Sequence, residues 1–86
     1  MAALRVRYFA WLRLRTGRAE EQVEAPDTVT TVRQLAAWLG QRHPGFAEAL
    51  AAPGIVRFAV NQAYVPDDAP VRAGDEVAFF PPVTGG

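Results

Sequence analysis

Residues 76–86 of the chain read EVAFFPPVTGG, and this stretch decides the fold that we predict. Val77 and Phe79 alternate with other side chains at the two-residue period of a half-buried strand. Pro81 and Pro82 follow, and because proline has no N–H to donate to a neighbouring strand, pairing should weaken at this point. The sequence therefore predicts a final strand that continues into a stiff, extended tail.

The end of this stretch points to chemistry at a backbone carboxylate. Gly85 and Gly86 lack Cβ atoms, so their backbone can approach another surface closely, as a narrow channel requires. The last reactive group of the sequence is the carboxylate of Gly86. Because a free α-carboxyl group has a pKa of about 3.5, it is ionised at neutral pH and must be activated before it can be attacked.

In the rest of the chain, the sequence predicts strands before and after one main helix. Apolar residues alternate at strand period in several segments, namely residues 4–8, 19–25 and 56–60, with a stub at 64–65. Thr31 and Gln34 have the spacing of a capping box, and the helix that they begin should end near Arg42, because Pro44 disfavours helical geometry before it. This order favours an α+β fold of the β-grasp type, a small mixed sheet on one main helix, in a single domain of residues 1–86.

Two segments keep alternatives open. Residues 11–15 are compatible with a loop or with a helical turn, and Thr16-Gly17 after them is a turn signal. Phe46 and Leu50 could face the core from a short second helix that Pro53-Gly54 would close.

Composition excludes several classes of function. Nine basic residues, all of them arginine, balance nine acidic residues, so there is no basic excess to bind nucleic-acid phosphates. The absence of cysteine excludes disulfides, thiolate catalysis and cysteine-based metal sites. Arginines interrupt the apolar residues near the start of the sequence. We therefore expect neither a signal peptide nor a membrane span. We expect the protein to be cytoplasmic.

The side chains do not predict a catalytic site. His43, the single histidine, precedes Pro44 at the predicted end of the helix, and we interpret it as a solvated residue rather than a general base. Glu20 and Glu21 are neighbours on a predicted strand and therefore point to opposite faces. We recognise no acid–base pair, no metal-ligand spacing and no phosphate-binding loop.

Three aromatic residues occupy positions outside the predicted core. If Val77 and Phe79 point inward, Phe80 points outward, and the same parity places Phe9 and Tyr64 off the core face. Exposed aromatic groups of this kind are typical of a protein interface. The alternative, that sheet twist or a bulge buries one or more of these rings, fits the parity equally well.

A family resemblance adds to these inferences. Residues 74–86, GDEVAFFPPVTGG, resemble the C-terminal signature of the molybdopterin synthase small-subunit family, whose members are ubiquitin-like sulfur carriers. Residues 60–62 and 6–10 resemble two further segments of that family, so the likeness covers nearly the whole chain. The ending FFPPVTGG is highly specific, whereas a terminal Gly-Gly is common to all ubiquitin-like carriers and modifiers. The resemblance implies a β-grasp fold and a functional tail of Pro81, Pro82, Val83, Thr84, Gly85 and Gly86.

The resemblance also implies a reaction sequence. An ATP-dependent adenylyltransferase, similar to ubiquitin-activating enzymes, would adenylate Gly86, and a sulfur donor protein would displace AMP to leave a thiocarboxylate. The tail would then enter the large subunit of molybdopterin synthase, where its sulfur passes to cyclic pyranopterin monophosphate. The chain itself would bind no cofactor and no metal. Partner contacts are implied for Phe9, Arg13, Tyr64 and Phe80, although Leu14 stands where an acidic residue is common.

Other functions remain open at this point. The chain could carry sulfur for another product, such as the thiamine thiazole, a thiolated tRNA or cysteine, or it could be a modifier that is joined to lysines of other proteins. The residues before Gly-Gly favour molybdopterin, because thiazole carriers usually lack them. A β-grasp interaction module without tail chemistry gives no reason for the Gly-Gly ending.

Overall fold

The computed structural model describes residues 1–52 and 55–82, which form a mixed five-stranded sheet with three helices. In chain order the elements are β1 (Ala2–Tyr8), α1 (Leu12–Thr16), β2 (Glu20–Ala25), α2 (Val32–Arg42), α3 (Pro44–Ala51), β3 (Arg57–Val60), β4 (Ala63–Val65) and β5 (Glu76–Phe80). The strand order is β2-β1-β5-β3-β4, with β1 and β5 parallel and the other pairs antiparallel. The predicted α+β, β-grasp architecture is confirmed, and β5 is its central strand.

The parity of β5 agrees with the sequence prediction. Val77 and Phe79 are fully buried, whereas Phe80 is half-buried on the opposite face. Phe79 pairs with Tyr8 on β1 and with Phe58 on β3, and all three side chains point to the side of the helices. The last strand therefore connects both halves of the sheet.

The main helix begins and ends where the sequence predicts. The hydroxyl of Thr31 accepts a hydrogen bond from the backbone N–H of Gln34 at 3.2 Å, and the Gln34 side-chain carbonyl accepts from the N–H of Thr31 at 3.1 Å. These two bonds satisfy N–H groups that a helix start otherwise leaves unpaired. Val32, Leu35 and Leu39 form the buried stripe of α2.

The two segments with open alternatives are both helical. Helix α1 places Leu12 in the core and is capped by Gly17, which adopts φ 78° and donates its N–H to the carbonyl of Arg13 at 2.8 Å. A left-handed residue of this kind is favourable for glycine, which has no Cβ to clash. Helix α3 buries Phe46, and Leu50 packs against the core at its edge.

The inference about His43 is wrong. Its side chain is only 12% exposed and lies 2.8 Å from a carboxylate oxygen of Glu21, so it is not a solvated helix end. Pro44 ends α2 but occupies the first turn of α3, where a missing N–H costs nothing. His43 is therefore held at the junction of α2 and α3.

The second strand also differs in one position. It begins at Glu20, and Ala19 is exposed outside it. The inward positions of β2 are held by Ala25, Val23 and Glu21, whose side chain is only 4% exposed. The two adjacent glutamates do point to opposite faces, but one of those faces is the protein interior.

The sheet ladder ends where the prolines begin. Phe80 is the last residue of β5, and Pro81 and Pro82 lie beyond it without strand pairing, as the sequence predicts. The predicted continuation of the tail, Val83, Thr84, Gly85 and Gly86, lies outside the described residues.

Candidate functional site

The sheet face turned away from the helices carries an aromatic surface that we call the outer-face patch, formed by Phe9, Tyr64 and Phe80. All three rings line one shallow pocket of about 280 Å³. Phe9 is 38% exposed and Tyr64 is 80% exposed, while Phe80 is half-buried. The structure thus brings together three of the four residues for which the sequence predicted partner contacts.

Strand register explains how two of these rings meet. Tyr64 on β4 lies opposite Ala59 on β3, and Ala59 in turn lies opposite Ala78 on β5. Because both alanines have small side chains, the rings of Tyr64 and Phe80 project from the sheet surface beyond them. The ring centroids are 5.3 Å apart, and the ring planes are tilted by 35°. A patch of this form presents aromatic edges that a partner could cover.

The position of the third ring, Phe9, is fixed by a backbone hydrogen bond and by a nearby arginine. Phe9 follows β1, and its N–H donates to the carbonyl of Phe79 at 3.0 Å, which continues the parallel pairing beyond the strand. The guanidinium of Arg7 lies 5.0 Å from the centre of the Phe9 ring, within cation–π range. The same Arg7 approaches Glu76 at 4.0 Å. One cation and one anion therefore border the patch.

The beginning of the tail adjoins this patch. A larger groove of about 570 Å³ runs beside it and is lined by Arg57, Phe58, Tyr64, Val65, Pro66, Phe80 and Pro82. Tyr64 and Phe80 contribute to both pockets. A partner that covers the outer-face patch would therefore also contact the chain where it leaves the sheet.

Arg13 lies elsewhere. It is exposed on α1 and lines neither of the two pockets. Its neighbour Leu14 is 85% exposed, so this helix presents an apolar side chain beside the arginine. The contact with the activating enzyme that the resemblance implies for Arg13 remains a prediction, and it concerns a surface other than the outer-face patch.

A group of polar residues that the sequence does not predict lies inside the molecule. We call it the buried polar cluster, formed by Tyr8, Glu21 and His43. The Tyr8 hydroxyl donates to Oε2 of Glu21 at 2.7 Å, and Nε2 of His43 lies 2.8 Å from the same oxygen. Arg18 reaches Oε1 of Glu21 at 3.4 Å. Glu21 and His43 thus form a buried acid–base contact that the local sequence patterns do not indicate.

The surroundings of this cluster shift two pKa values in opposite directions. Burial raises the pKa of the Tyr8 hydroxyl, and the hydrogen bond to Glu21 raises it further, so the hydroxyl keeps its proton. Burial alone would also raise the pKa of Glu21. Hydrogen bonds from Tyr8 and His43, together with the positive charge of Arg18, outweigh that effect and hold the pKa of Glu21 below its usual value.

One sequence signal could have found half of this cluster. Glu21 falls on the inward parity of β2, in line with Val23 and Ala25, and a carboxylate at such a position needs partners. No local pattern links it to His43, because 22 residues separate them in the sequence.

The described part of the chain has no candidate group of ligands for a metal ion. Within residues 1–52 and 55–82, His, Asp and Glu nowhere form a group of three that could ligate one. In the same ranges, the helices are too short or too polar to cross a membrane.

Comparison with known proteins identifies the family. The model of the ThiS family matches residues 6–86. The chain belongs to the ThiS family. It is 44% identical to the molybdopterin synthase sulfur carrier subunit of Escherichia coli over 96% of this chain and 99% of that one. Identity to the subunit of the same name from Haemophilus influenzae is 40%, with the same coverage. The resemblance inferred from the sequence is confirmed.

Several solved structures superpose on this chain and agree with the family assignment. A putative molybdopterin converting factor subunit 1 from Pyrococcus furiosus superposes with a TM-score of 0.82 at 36% identity, covering 96% of this chain and all of that one. The small archaeal modifier protein 1 of Haloferax volcanii superposes with a TM-score of 0.80 at 26% identity, with the same coverage. A complex of subunits 1 and 2 of molybdopterin-converting factor from Helicobacter pylori matches with a TM-score of 0.66 at 25% identity, over 98% of this chain and 99% of that one.

Proposed function

We propose that the protein is the sulfur carrier subunit of a molybdopterin synthase and that it acts in the cytoplasm. The observation that carries this proposal is the likeness, over nearly the full length of both chains, to two bacterial subunits of that name. The ending FFPPVTGG, residues 79–86, is consistent with it. The outer-face patch lies beside the start of this ending, where a partner that receives the tail would have to bind.

In this proposal the reacting atom is on Gly86. A carboxylate oxygen attacks the α-phosphate of ATP in the activating partner, pyrophosphate leaves, and an acyl adenylate forms. Sulfide delivered by a sulfur donor protein then attacks the acyl carbon, and AMP leaves to give the thiocarboxylate. The ATP belongs to the partner, and this chain contributes the acyl group but no catalytic side chain. The tail residues Pro81 to Gly86 would carry the sulfur to the large subunit, for transfer to cyclic pyranopterin monophosphate.

The large subunit is the partner proposed for the outer-face patch. A structural neighbour of this chain was solved as a complex of subunits 1 and 2 of molybdopterin-converting factor. An aromatic patch with two charged residues at its border suits a specific interface, since aromatic side chains dominate binding energy and the charges fix orientation. Arg13 on α1 is proposed to contact the activating enzyme.

The second candidate is a protein modifier. The observation in its favour is the structural likeness to the small archaeal modifier protein 1. Both functions begin with an adenylated terminal glycine, so only the product distinguishes them. A carrier ends as a thiocarboxylate, whereas a modifier ends as an amide on a lysine of another protein.

The test combines mass spectrometry with reconstitution. The chain is recovered from its native cell, and its intact mass and its covalent adducts are determined. We expect the replacement of one oxygen by sulfur at Gly86, and molybdopterin formation when this form is mixed with the large subunit and cyclic pyranopterin monophosphate. Branched peptides on other proteins, with no sulfur at Gly86, would support the modifier and overturn the carrier.

A further inference from the structure

The buried polar cluster of Tyr8, Glu21 and His43 has no role in the proposed chemistry. It joins three parts of the fold, because Tyr8 belongs to β1, Glu21 to β2 and His43 to the junction between α2 and α3. Buried carboxylates are costly unless they are paired and hydrogen-bonded. Every buried side-chain polar atom of the described residues has a partner, so this cluster is fully satisfied.

The hydrogen positions in the cluster follow from its charge. An ionised carboxylate only accepts hydrogen bonds, so the Tyr8 hydroxyl and Nε2 of His43 must both donate to Oε2 of Glu21. Arg18, in the segment before β2, faces the other oxygen, and Arg42, at the end of α2, contributes positive charge near the Tyr8 hydroxyl. With two donors on Oε2, a proton on that oxygen would displace one of them.

The cluster also anchors the start of α3. The carbonyl of His43 accepts the N–H groups of Phe46 and Ala47 at 2.9 and 3.2 Å, so this residue begins the helix with its backbone while its side chain binds Glu21. The ring of Phe46 packs edge-on against Tyr8 with 5.4 Å between centroids, and against Phe79 with 5.1 Å. Loss of the His43–Glu21 bond would therefore loosen α3 from the aromatic core.

We propose that the buried polar cluster is an acid-sensitive lock, in which ionised Glu21 holds the α2–α3 junction against the β1–β2 hairpin and protonated Glu21 releases it. Charge-assisted hydrogen bonds are about twice as strong as neutral ones, so the bonds from both donors weaken when the carboxylate is neutralised. Helix α3, which His43 precedes, is the element that gains freedom.

The direction of the pH dependence follows from the lowered pKa of Glu21. Since the folded state holds this proton less tightly than the unfolded state, stability from the cluster is fully present above the ordinary glutamate pKa of about 4.3. It is lost as the pH falls below that value, through the lower pKa of the folded state.

The first experiment measures thermal unfolding of the free chain between pH 7 and pH 3. Glu21→Gln keeps the shape of the side chain and removes its charge, and we expect a Tm at least about 6 °C below that of the wild type at pH 7. This gap should close as the pH falls, because the wild type then loses the same charge. Glu20→Gln, at the exposed neighbour, is the matched control and should follow the wild type throughout. A gap of constant size across the pH range would overturn the proposal.

If Glu21→Gln fails to fold, a second variant tests the same cluster. Tyr8→Phe removes one donor to Glu21 but keeps the ring against Phe79 and Phe46. The carboxyl pKa of Glu21, measured by NMR titration, should rise in Tyr8→Phe, because a bond that favours the ionised form is lost. An unchanged Glu21 pKa in this variant would contradict the lock.

Hydrogen exchange locates the release. In the wild type at acidic pH, we expect amide protection factors in α3, at Phe46, Ala47 and Ala49, to fall at least about tenfold more than those of Val77 and Phe79 in β5. Equal loss in both elements would mean global unfolding rather than release of one helix, and would overturn the proposal. Each of these experiments uses the chain without partners, so the outcome is independent of the proposed sulfur chemistry.

Discussion

At the scale of the single residue, two adjacent phenylalanines have opposite environments. Phe79 is fully buried, with its ring 5.1 Å from that of Phe46 and 5.8 Å from that of Phe58. Phe80 lies on the other face beside Tyr64, at the border of two pockets. Neighbours on a strand point to opposite sides, so one residue serves the core and the next is available to a partner.

Substituting each of these phenylalanines by arginine separates stability from binding. Phe79→Arg should unfold the chain, because it places an unpaired charge in the core. Phe80→Arg should leave the melting temperature close to that of the wild type and weaken binding to the large subunit by more than about tenfold, as loss of an aromatic anchor does. The measurements are melting curves and dissociation constants for both variants.

Leu14 provides a control for the binding measurement. It is more exposed than Phe80 but lies on α1, outside both pockets, so Leu14→Arg should leave binding to the large subunit unchanged. If Phe80→Arg binds as tightly as the wild type, the outer-face patch is not the interface with the large subunit.

At the scale of the element, α2 shows why part of the fold could be predicted from the sequence. Thr31 and Gln34 mark its start, and Pro44 lies two residues beyond its last residue, Arg42. These signals act between residues that are close in the chain, as does the alternation that identified β5. Local physics determines such elements, and a single sequence contains all of the information needed.

Thr31→Ala tests the capping box directly. It removes the acceptor for the N–H of Gln34, and loss of an N-cap side chain typically costs about 1 kcal/mol of stability. For a chain of this size, we expect the Tm to fall by about 4–8 °C. The measurement is thermal unfolding by circular dichroism, with Thr28→Ala, at an exposed threonine outside α2, as the matched control. Equal melting temperatures for the two variants would show that the box does not stabilise α2.

The parts of the structure that could not be predicted depend on distant contacts. The residues around His43 in the sequence describe a helix end and predict a solvated side chain, whereas the carboxylate that binds it comes from β2, 22 residues away in the sequence. The outer-face patch was predicted by parity, but whether sheet twist would bury Phe9, Tyr64 or Phe80 depended on the packing of four different segments. For the same reason, the sequence could not show that Arg13 lies outside both pockets.

At the scale of the whole molecule, stability and the proposed chemistry belong to separate parts of the chain. Among the described residues, the core cluster extends to Phe79, and the strand ladder ends at Phe80. The candidate interface lies on the opposite face of the sheet from this core. Under the proposed function, the reacting group is further along the chain still, at Gly86. Under this proposal, we expect changes at Gly86 to alter transfer without altering the fold.

Removing Gly86, or adding one residue after it, should abolish sulfur transfer while leaving the melting temperature unchanged. Deletion moves the terminal carboxylate back by one residue, up to about 3.6 Å, and extension moves it forward by the same distance. A misplacement of even about 1 Å can cost about a hundredfold in rate when reacting groups are held in a fixed site. The measurement is molybdopterin formation in the reconstituted system, with melting curves on the same samples. The matched control adds one residue before Met1, which is exposed and whose ammonium group pairs with the exposed Asp27, so both fold and transfer should persist. Undiminished transfer by a chain extended beyond Gly86 would contradict a mechanism that acts through the terminal carboxylate.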